Sequence, residues 1–381
     1  MDRIEYEKTI KACRFCLMCR HMCTVGNISY AEANTPRGHA LMLDCVGGEA
    51  LADTSENRSR MAEIWFGCCY CGHCQNNCVS SYPHPDAMMT ARAEADESHL
   101  PERAKALRAI VAKTGEFYEN PVQAGGASDA AKGKAGADVL LYIGSFTRNE
   151  DSGVADAAIS VLEKAGVSYT LLADEKGVGM APFLMGMTDV AQTQLAAEIE
   201  KINALKPGMV VTLSPDDLRV LAGGVSGLDA SGLTAPVTGF AAFTLGLVKA
   251  GALALSGGGA ASATPTAAPA LIAYHDSDQG GRFLQDYDAP RELVQSIPGI
   301  AYKELFWAKG EAASAGESGA IRLLNPELAS KIAEKRIGQI AGRGVSIVAT
   351  DSPEAKAQLV GQGNKDVKFM HIAELIKQHI A

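Results

Sequence analysis

Cys13-Arg14-Phe15-Cys16-Leu17-Met18-Cys19-Arg20-His21-Met22-Cys23 and Cys68-Cys69-Tyr70-Cys71-Gly72-His73-Cys74-Gln75-Asn76-Asn77-Cys78 are the stretches that decide how this chain is read. The first is C-x2-C-x2-C-x3-C. The second repeats that spacing at residues 68, 71, 74 and 78. The chain has ten cysteines, and none follows Cys78. A secreted disulfide scaffold spreads its cysteines through the folding unit, whereas these form two tight clusters, which points to metal.

Three thiolates at x2 spacing wrap a short loop around one face of an iron-sulfur cube. The fourth cysteine then reaches across a small domain to ligate the other cube, as in bacterial two-cluster ferredoxins. The spacing assigns one 4Fe-4S cluster to Cys13, Cys16, Cys19 and Cys78, and a second to Cys68, Cys71, Cys74 and Cys23. Structural zinc normally joins two C-x2-C pairs through a longer spacer and needs no third cysteine at x2. Radical chemistry on S-adenosylmethionine is disfavoured, because neither run holds an isolated C-x3-C-x2-C. The ferredoxin pattern carries Pro after its fourth cysteine, but Thr24 and Val79 stand there. Cys45, in an apolar segment, reads as a buried small hydrophobe, and Cys69 as packing beside a ligand. His21, His39, His73 and His84 read as surface residues or residues behind the ligands.

Outward from the motifs, Pro36-Arg37-Gly38 opens a helix at His39 to Cys45, Ser55 caps another to Phe66, and residues 86–98 are helical. Residues 1–121 therefore form a small α-helical domain. Residues 122–137 and 256–269 are low-complexity linkers rich in Gly and Ala. They bound two segments, 138–255 and 270–381, of alternating strand and helix pattern. Strands are expected at 138–143, 168–172, 209–213, 271–274, 300–305, 345–349 and 367–370. Helices are expected at 152–165, 188–205, 290–296 and 326–341, with a last one closing the chain. Such alternation predicts parallel sheets covered by helices. The two segments look like copies. Each has Gly-Val or Gly-Ile before its second strand (Gly166-Val167, Gly299-Ile300). Each also has a strand ending in Ser-Pro-acidic that caps a helix (Ser214-Pro215-Asp216, Ser352-Pro353-Glu354). The fold class is thus α+β multidomain: a small α-helical two-cluster ferredoxin domain followed by two duplicated α/β repeats.

Composition sets the outer bounds. The 381 residues are 47% hydrophobic, 21% charged and 6% aromatic, with net charge −9. That balance argues against a nucleic-acid or anionic-membrane partner. Met1-Asp2-Arg3-Ile4-Glu5 lacks the apolar core of a signal peptide. The longest apolar stretch, 239–255, is broken by Lys249 and falls short of a bilayer span. A cytoplasmic protein is expected, peripheral at the inner face of the membrane only through a partner.

Two ferredoxin motifs ahead of a duplicated α/β unit resemble a known family over almost the whole chain. It comprises the iron-sulfur subunits of glycolate oxidase and anaerobic glycerol-3-phosphate dehydrogenase, the lactate-utilisation iron-sulfur protein, and fused C and B subunits of heterodisulfide reductase. Pro36-Arg37-Gly38, Val154-Ala155-Asp156, residues 162–167, Tyr274-His275-Asp276, Gly281-Arg282, residues 289–293 and Ile297-Pro298-Gly299 carry the likeness. In that family each repeat bears a cysteine-rich signature that can build a further iron-sulfur site. Here those places read Gly144-Ser145, Gly177-Val178-Gly179-Met180 and Ser214-Pro215, then Asp276-Ser277-Asp278, Ser318-Gly319-Ala320 and Ser352-Pro353. No soft ligand remains in either repeat. A hard-metal site at His275, Asp276, Asp278 and Asp351 is disfavoured against ordinary capping and turn roles.

The resemblance implies an electron-transfer subunit without catalytic residues of its own. It would relay single electrons between a flavoprotein dehydrogenase and an acceptor, an electron-transfer flavoprotein or a quinone-linked carrier. No G-x-G-x-x-G follows a strand, so FAD or FMN belongs on the partner chain. The alternatives are a catalytic heterodisulfide- or quinone-reductase-type subunit, which the missing cysteines disfavour, and a non-redox assembly protein stapled by its clusters.

Overall fold

The computed structural model describes residues 10–47, 50–122, 133–257 and 271–381. Both expected linkers lie largely outside these residues. The α+β layout is the one expected: a helical region leads into two four-stranded parallel sheets.

Pro36–Gly47 and Ser55–Gly67 are helices, as anticipated. Thr54, not Ser55, caps the second, its hydroxyl accepting from Asn57 N. The third helix is His84–Glu94, starting two residues earlier and ending four earlier than 86–98, with Pro85 in its first turn where no donor is lost. Glu102–Thr114 is a further helix, ended by Gly115 at φ 75°.

The first sheet has the order β2-β1-β3-β4, with β1 Val139–Tyr142, β2 Tyr169–Thr170, β3 Met209–Thr212 and β4 Val237–Gly239. The second repeats it as β6-β5-β7-β8, with β5 Leu271–Tyr274, β6 Ala301–Tyr302, β7 Ile347–Thr350 and β8 Lys368–His371. The second strand of each unit is only two residues long, against the five or six expected. The Ser-Pro-acidic triplets cap helices as read: Ser214 Oγ accepts from Asp216 N, and Ser352 Oγ from Ala355 N. Asn325 caps Pro326–Ala341 by accepting from Leu328 N.

The apolar stretch from 239 is not a free-standing hydrophobic segment. It ends β4 and forms helix Phe240–Lys249, whose Phe240, Ala241 and Leu245 are buried in the core shared by both sheets. That core explains how the units associate. Helix Ser152–Lys164 of the first unit packs on Ile372–Lys377, the last helix of the second. Helix Asp288–Gln295 of the second packs on Phe240–Lys249 of the first. Each unit therefore lays its first long helix on the helix following the other unit's fourth strand, a pseudo-twofold exchange. The opposite face of the first sheet (Leu140, Tyr142) shares a core with the N-terminal helices through Trp65, Phe66 and Met88.

Arg92 fastens the three parts. It is wholly buried, and its guanidinium donates to the carbonyls of Trp65 and Cys68, to Leu184 in the first unit and to Gly319 in the second. One buried cation thus satisfies four backbone acceptors from three regions, and removing it would orphan them together.

Candidate iron-sulfur centres

The loop from Cys13 to Cys23 is built of turns. Arg20 N donates to Leu17 O and Cys23 N to Arg20 O, and Phe15 takes φ 50° so that its amide points back at Cys13 Sγ, 3.4 Å away. The second run has the same habit: Tyr70 has φ 51° and Gly72 φ 74°. A Cβ on Gly72 would stand 2.8 Å from the Phe283 ring, so glycine is needed both for its backbone and for its clearance. Backbone amides also reach Cys23 Sγ (Gly26 N, 3.2 Å) and Cys78 Sγ (Tyr82 N, 3.4 Å). Amides aimed at sulfur stabilise thiolate over thiol.

Electrostatic coupling links the cysteines of the two runs. Cys13 lies in the field of Cys78 and Cys16, and Cys19 in that of Cys13, Cys16 and Cys78. Cys23 lies in the field of Cys71 and Cys68, and Cys74 in that of Cys71, Cys68, Cys23 and, more weakly, Cys19. Each run thus feels cysteines of the other: Cys78 acts on Cys13 and Cys19, and Cys71 and Cys68 act on Cys23. None of the ten cysteines is in a disulfide. Burial pushes the Cys19 and Cys68 thiols up to about 11, and drives those of Cys23 and Cys74 higher still, with neighbouring thiolates adding to the rise. Neighbouring thiolates repel one another unless a cation joins them, so the donor set fits iron.

The two groups have different surroundings. Cys16 is exposed and Cys13 and Cys19 half-buried, while Cys71 and Cys74 are buried. Cys71 is held below the usual thiol range, first by the hydrogen bond from Cys69 and then by the Arg282 guanidinium. Cys69 itself is 3% exposed and packed against Gly319, as its packing role requires. Cys45 is half-buried rather than buried, because its helix face looks partly to solvent.

Of the four histidines only His21 is exposed. His39 and His84 are buried, with rings stacked at 5.1 Å and His39 Nδ1 2.9 Å from His84 Nε2. His84 Nδ1 lies 3.4 Å from Cys74 Sγ. His39, Cys68 and His84 bring ligand atoms within 4.8 Å of one another. Burial holds both imidazoles neutral, His84 at about 3. His73 Nε2 faces Glu311, 3.3 Å away.

Among the described residues His275, Asp276, Asp278 and Asp351 are each held by separate partners and form no common metal-ligating group. Arg291 grips Asp276 with two bonds of 2.7 and 2.8 Å, Arg282 pairs with Asp278, and Asp351 accepts from Ser277 Oγ at 2.8 Å. His275 Nδ1 accepts from Arg336. Buried ion pairs engage Asp276 and Asp278, and a hydrogen bond from Arg336 engages His275, where capping and turn roles were expected. A cavity of about 100 Å³ between the units is lined by Ser145, Gly177, Asp216, Ser318 and Glu354, several of them at the degenerate cysteine positions. Asp216 is pushed up by burial and by Glu354 opposite it, a carboxylate pair that repels where thiolates would ligate.

Sequence reasoning missed the arginines. Arg92, Arg282 and Arg336 are isolated in the sequence and signal nothing by spacing. Only Gly281-Arg282, through the resemblance, marked one of them.

No family model matches the chain. It is similar to the iron-sulfur-binding oxidoreductase FadF of Bacillus subtilis, 24% identical over 64% of this chain and 34% of the relative. A membrane-anchored ferredoxin of Chromohalobacter salexigens is 24% identical over 91% of this chain and 51% of its own length. One of the subunits of the dihydromethanophenazine:CoB–CoM heterodisulfide reductase of Methanosarcina mazei is 24% identical over 64% of this chain and 58% of its own length. The chain thus spans between a third and three-fifths of these relatives. Among solved structures, a glutamate racemase of Bacillus anthracis aligns over 64% of this chain and 79% of its own at 11% identity and a TM-score of 0.29, too slight to carry an assignment. By its relatives and its motifs the chain is akin to iron-sulfur oxidoreductase subunits, as the paired cysteine runs and the doubled sheets led us to expect.

Proposed function

We propose that the chain is the electron-transfer subunit of a larger, flavin-dependent oxidoreductase, holding one 4Fe-4S cluster on Cys13, Cys16, Cys19 and Cys78 and another on Cys68, Cys71, Cys74 and Cys23. Such clusters, when bound, take up and release one electron each with little rearrangement. The observation that supports the reading is the doubled C-x2-C-x2-C-x3-C run, with Cys16 exposed in the first copy and Cys71 and Cys74 buried in the second.

The chain's own residues serve that division. Phe15, Leu17, Met18 and Val79, all exposed, surround the outer group and give a partner an apolar landing place. Lys11 and Arg14 are exposed beside it, in a chain whose net charge is −9, and favour a partner with an acidic face. Inside, Arg92, Arg282 and the His84–Cys74 contact set positive charge and a hydrogen-bond donor against the inner group, which makes added negative charge easier to hold. The two α/β units bury the inner group and brace it. Among the described residues no helix is long and apolar enough to cross a membrane.

The test is an anaerobic pull-down of the tagged chain from its native cell, with iron and flavin quantified in the eluate. Co-elution of a flavoprotein that reduces the chain supports the proposal. Elution alone, with about eight irons that no flavoprotein reduces, refutes it in favour of a cluster-stapled scaffold.

A further inference from the structure

A cavity of about 200 Å³ opens where the first cysteine loop meets the second α/β unit. Arg336, Lys335 and Trp307 line it from one side, His21, Thr24 and His73 from the other. Arg336 is the anomaly. Only 1% of it is exposed, and among the described residues no carboxylate comes within ion-pairing distance. Its bonds all go to neutral acceptors: His275 Nδ1 at 3.3 and 3.2 Å, Gln339 Oε1 at 3.4 Å and the Trp307 carbonyl at 3.0 Å. The other buried arginines of this unit are answered: Arg282 by Asp278, Arg291 by Asp276 and Glu304. Arg92, which also lacks a carboxylate, has four carbonyls instead. Asp276, Glu317 and Asp278 act on it only from beyond ion-pairing distance, and a buried guanidinium whose direct partners are all neutral is costly to keep unless an anion completes it.

We propose that this cavity binds a small organic anion, its carboxylate on Arg336 and Lys335 and its carbon body against Trp307 and Ile332. Lys335 is exposed at the mouth with no ion pair among the described residues, free to draw an anion inward. Among the described residues Glu311 is the one acidic group on the wall. It is already engaged by Asn76 at 3.2 Å, His73 at 3.3 Å and Asn77 at 3.4 Å, so it does not compete for Arg336. Burial lowers Arg336 only to about 10, so it stays cationic at neutral pH. Trp307, 36% exposed, supplies an aromatic wall.

The position gives the site meaning. Thr24, standing where the two-cluster pattern has proline, lines this cavity while its hydroxyl lies 3.8 Å from Cys71 Sγ. An anion seated here is therefore one side chain away from the inner thiol group. The proposal does not depend on the identity of the electron-transfer partner, and binding alone tests it.

Full-length protein, purified anaerobically, is titrated by calorimetry with acetate, pyruvate, succinate and benzoate, with benzyl alcohol and sulfate as controls. At least one carboxylate should bind saturably with a Kd below about 10 mM, and benzyl alcohol should not. Arg336→Gln should weaken that carboxylate by about tenfold or more. Lys335→Gln, a surface change that leaves the fold alone, should weaken it by about twofold. The proposal falls if no carboxylate saturates, if sulfate alone binds, or if both variants bind the carboxylate as the unaltered chain does.

Discussion

Cys16 meets solvent and Cys13 and Cys19 are half-covered, while Cys71 and Cys74 lie buried beneath Arg282, His84 and the second α/β unit. The two runs are nevertheless written with one spacing. Spacing fixes which sulfurs can converge, since three at x2 always fit the same short loop. It says nothing of what surrounds them, because those groups come from far along the chain: Arg282 donates to the Cys71 carbonyl across 211 residues. Identical motifs can therefore be given different potentials and different access by the domains packed upon them.

The sharpest way to break this comparison is to remove one ligand from each group. Cys74→Ser should cost one cluster and also destabilise the fold, by about 3 kcal/mol or more, since a buried site loses both its metal and its sulfur contacts. Cys16→Ser should cost one cluster and stop electron transfer while the melting temperature stays within a few degrees. Iron content together with thermal melting decides it. Equal melting losses in the two variants would mean that the outer and inner groups are not energetically distinct, and full iron in either would overturn its ligand assignment.

Arg92→Met probes the inner surroundings without touching a ligand. Methionine fills similar volume but leaves four carbonyls without their donor, including that of Cys68. We expect a loss of about 3 to 5 kcal/mol. The midpoint of the inner cluster should also move to a more negative potential while the outer one stays, as redox titration followed by electron paramagnetic resonance would read. Equal movement of both midpoints would deny that Arg92 acts locally.

How far these differences were legible in advance follows from range. Strand 271–274, helix 188–205 and the caps at Ser214, Ser352 and Asn325 depend on neighbours within a few residues, and they match. The iron-sulfur character was legible because the cysteine motif carries it whole. β4 and helix Phe240–Lys249 were not, since a uniformly apolar run has no period to reveal, and only the facing helix Asp288–Gln295 explains it. His39 and His84 show the same limit. Neither has a local reason to be buried; Trp65, edge-on to His39 at 5.8 Å, and the neighbouring helix enclose them.

The outer group's exposure makes a smaller, separate prediction. Phe15, Leu17 and Met18 changed together to Ser should leave iron content and melting unaltered. The flavoprotein's affinity should fall by about tenfold or more, as loss of apolar anchors at an interface does. Unchanged affinity in a binding titration would move the landing place elsewhere on the surface.

Cys45→Ser gives the smallest effect and calibrates the rest. Cys45 lies on helix Pro36–Gly47 between the two runs, half-buried and outside both C-x2-C-x2-C-x3-C motifs. Serine keeps its volume and can turn its hydroxyl toward the exposed side. A half-buried, isolated site of this kind should cost no more than about 1 kcal/mol, with both clusters and both midpoints preserved. Loss of iron in this variant would place a ligand outside the two runs, and the difference between outer and inner groups would then have to be drawn from nine cysteines instead of eight.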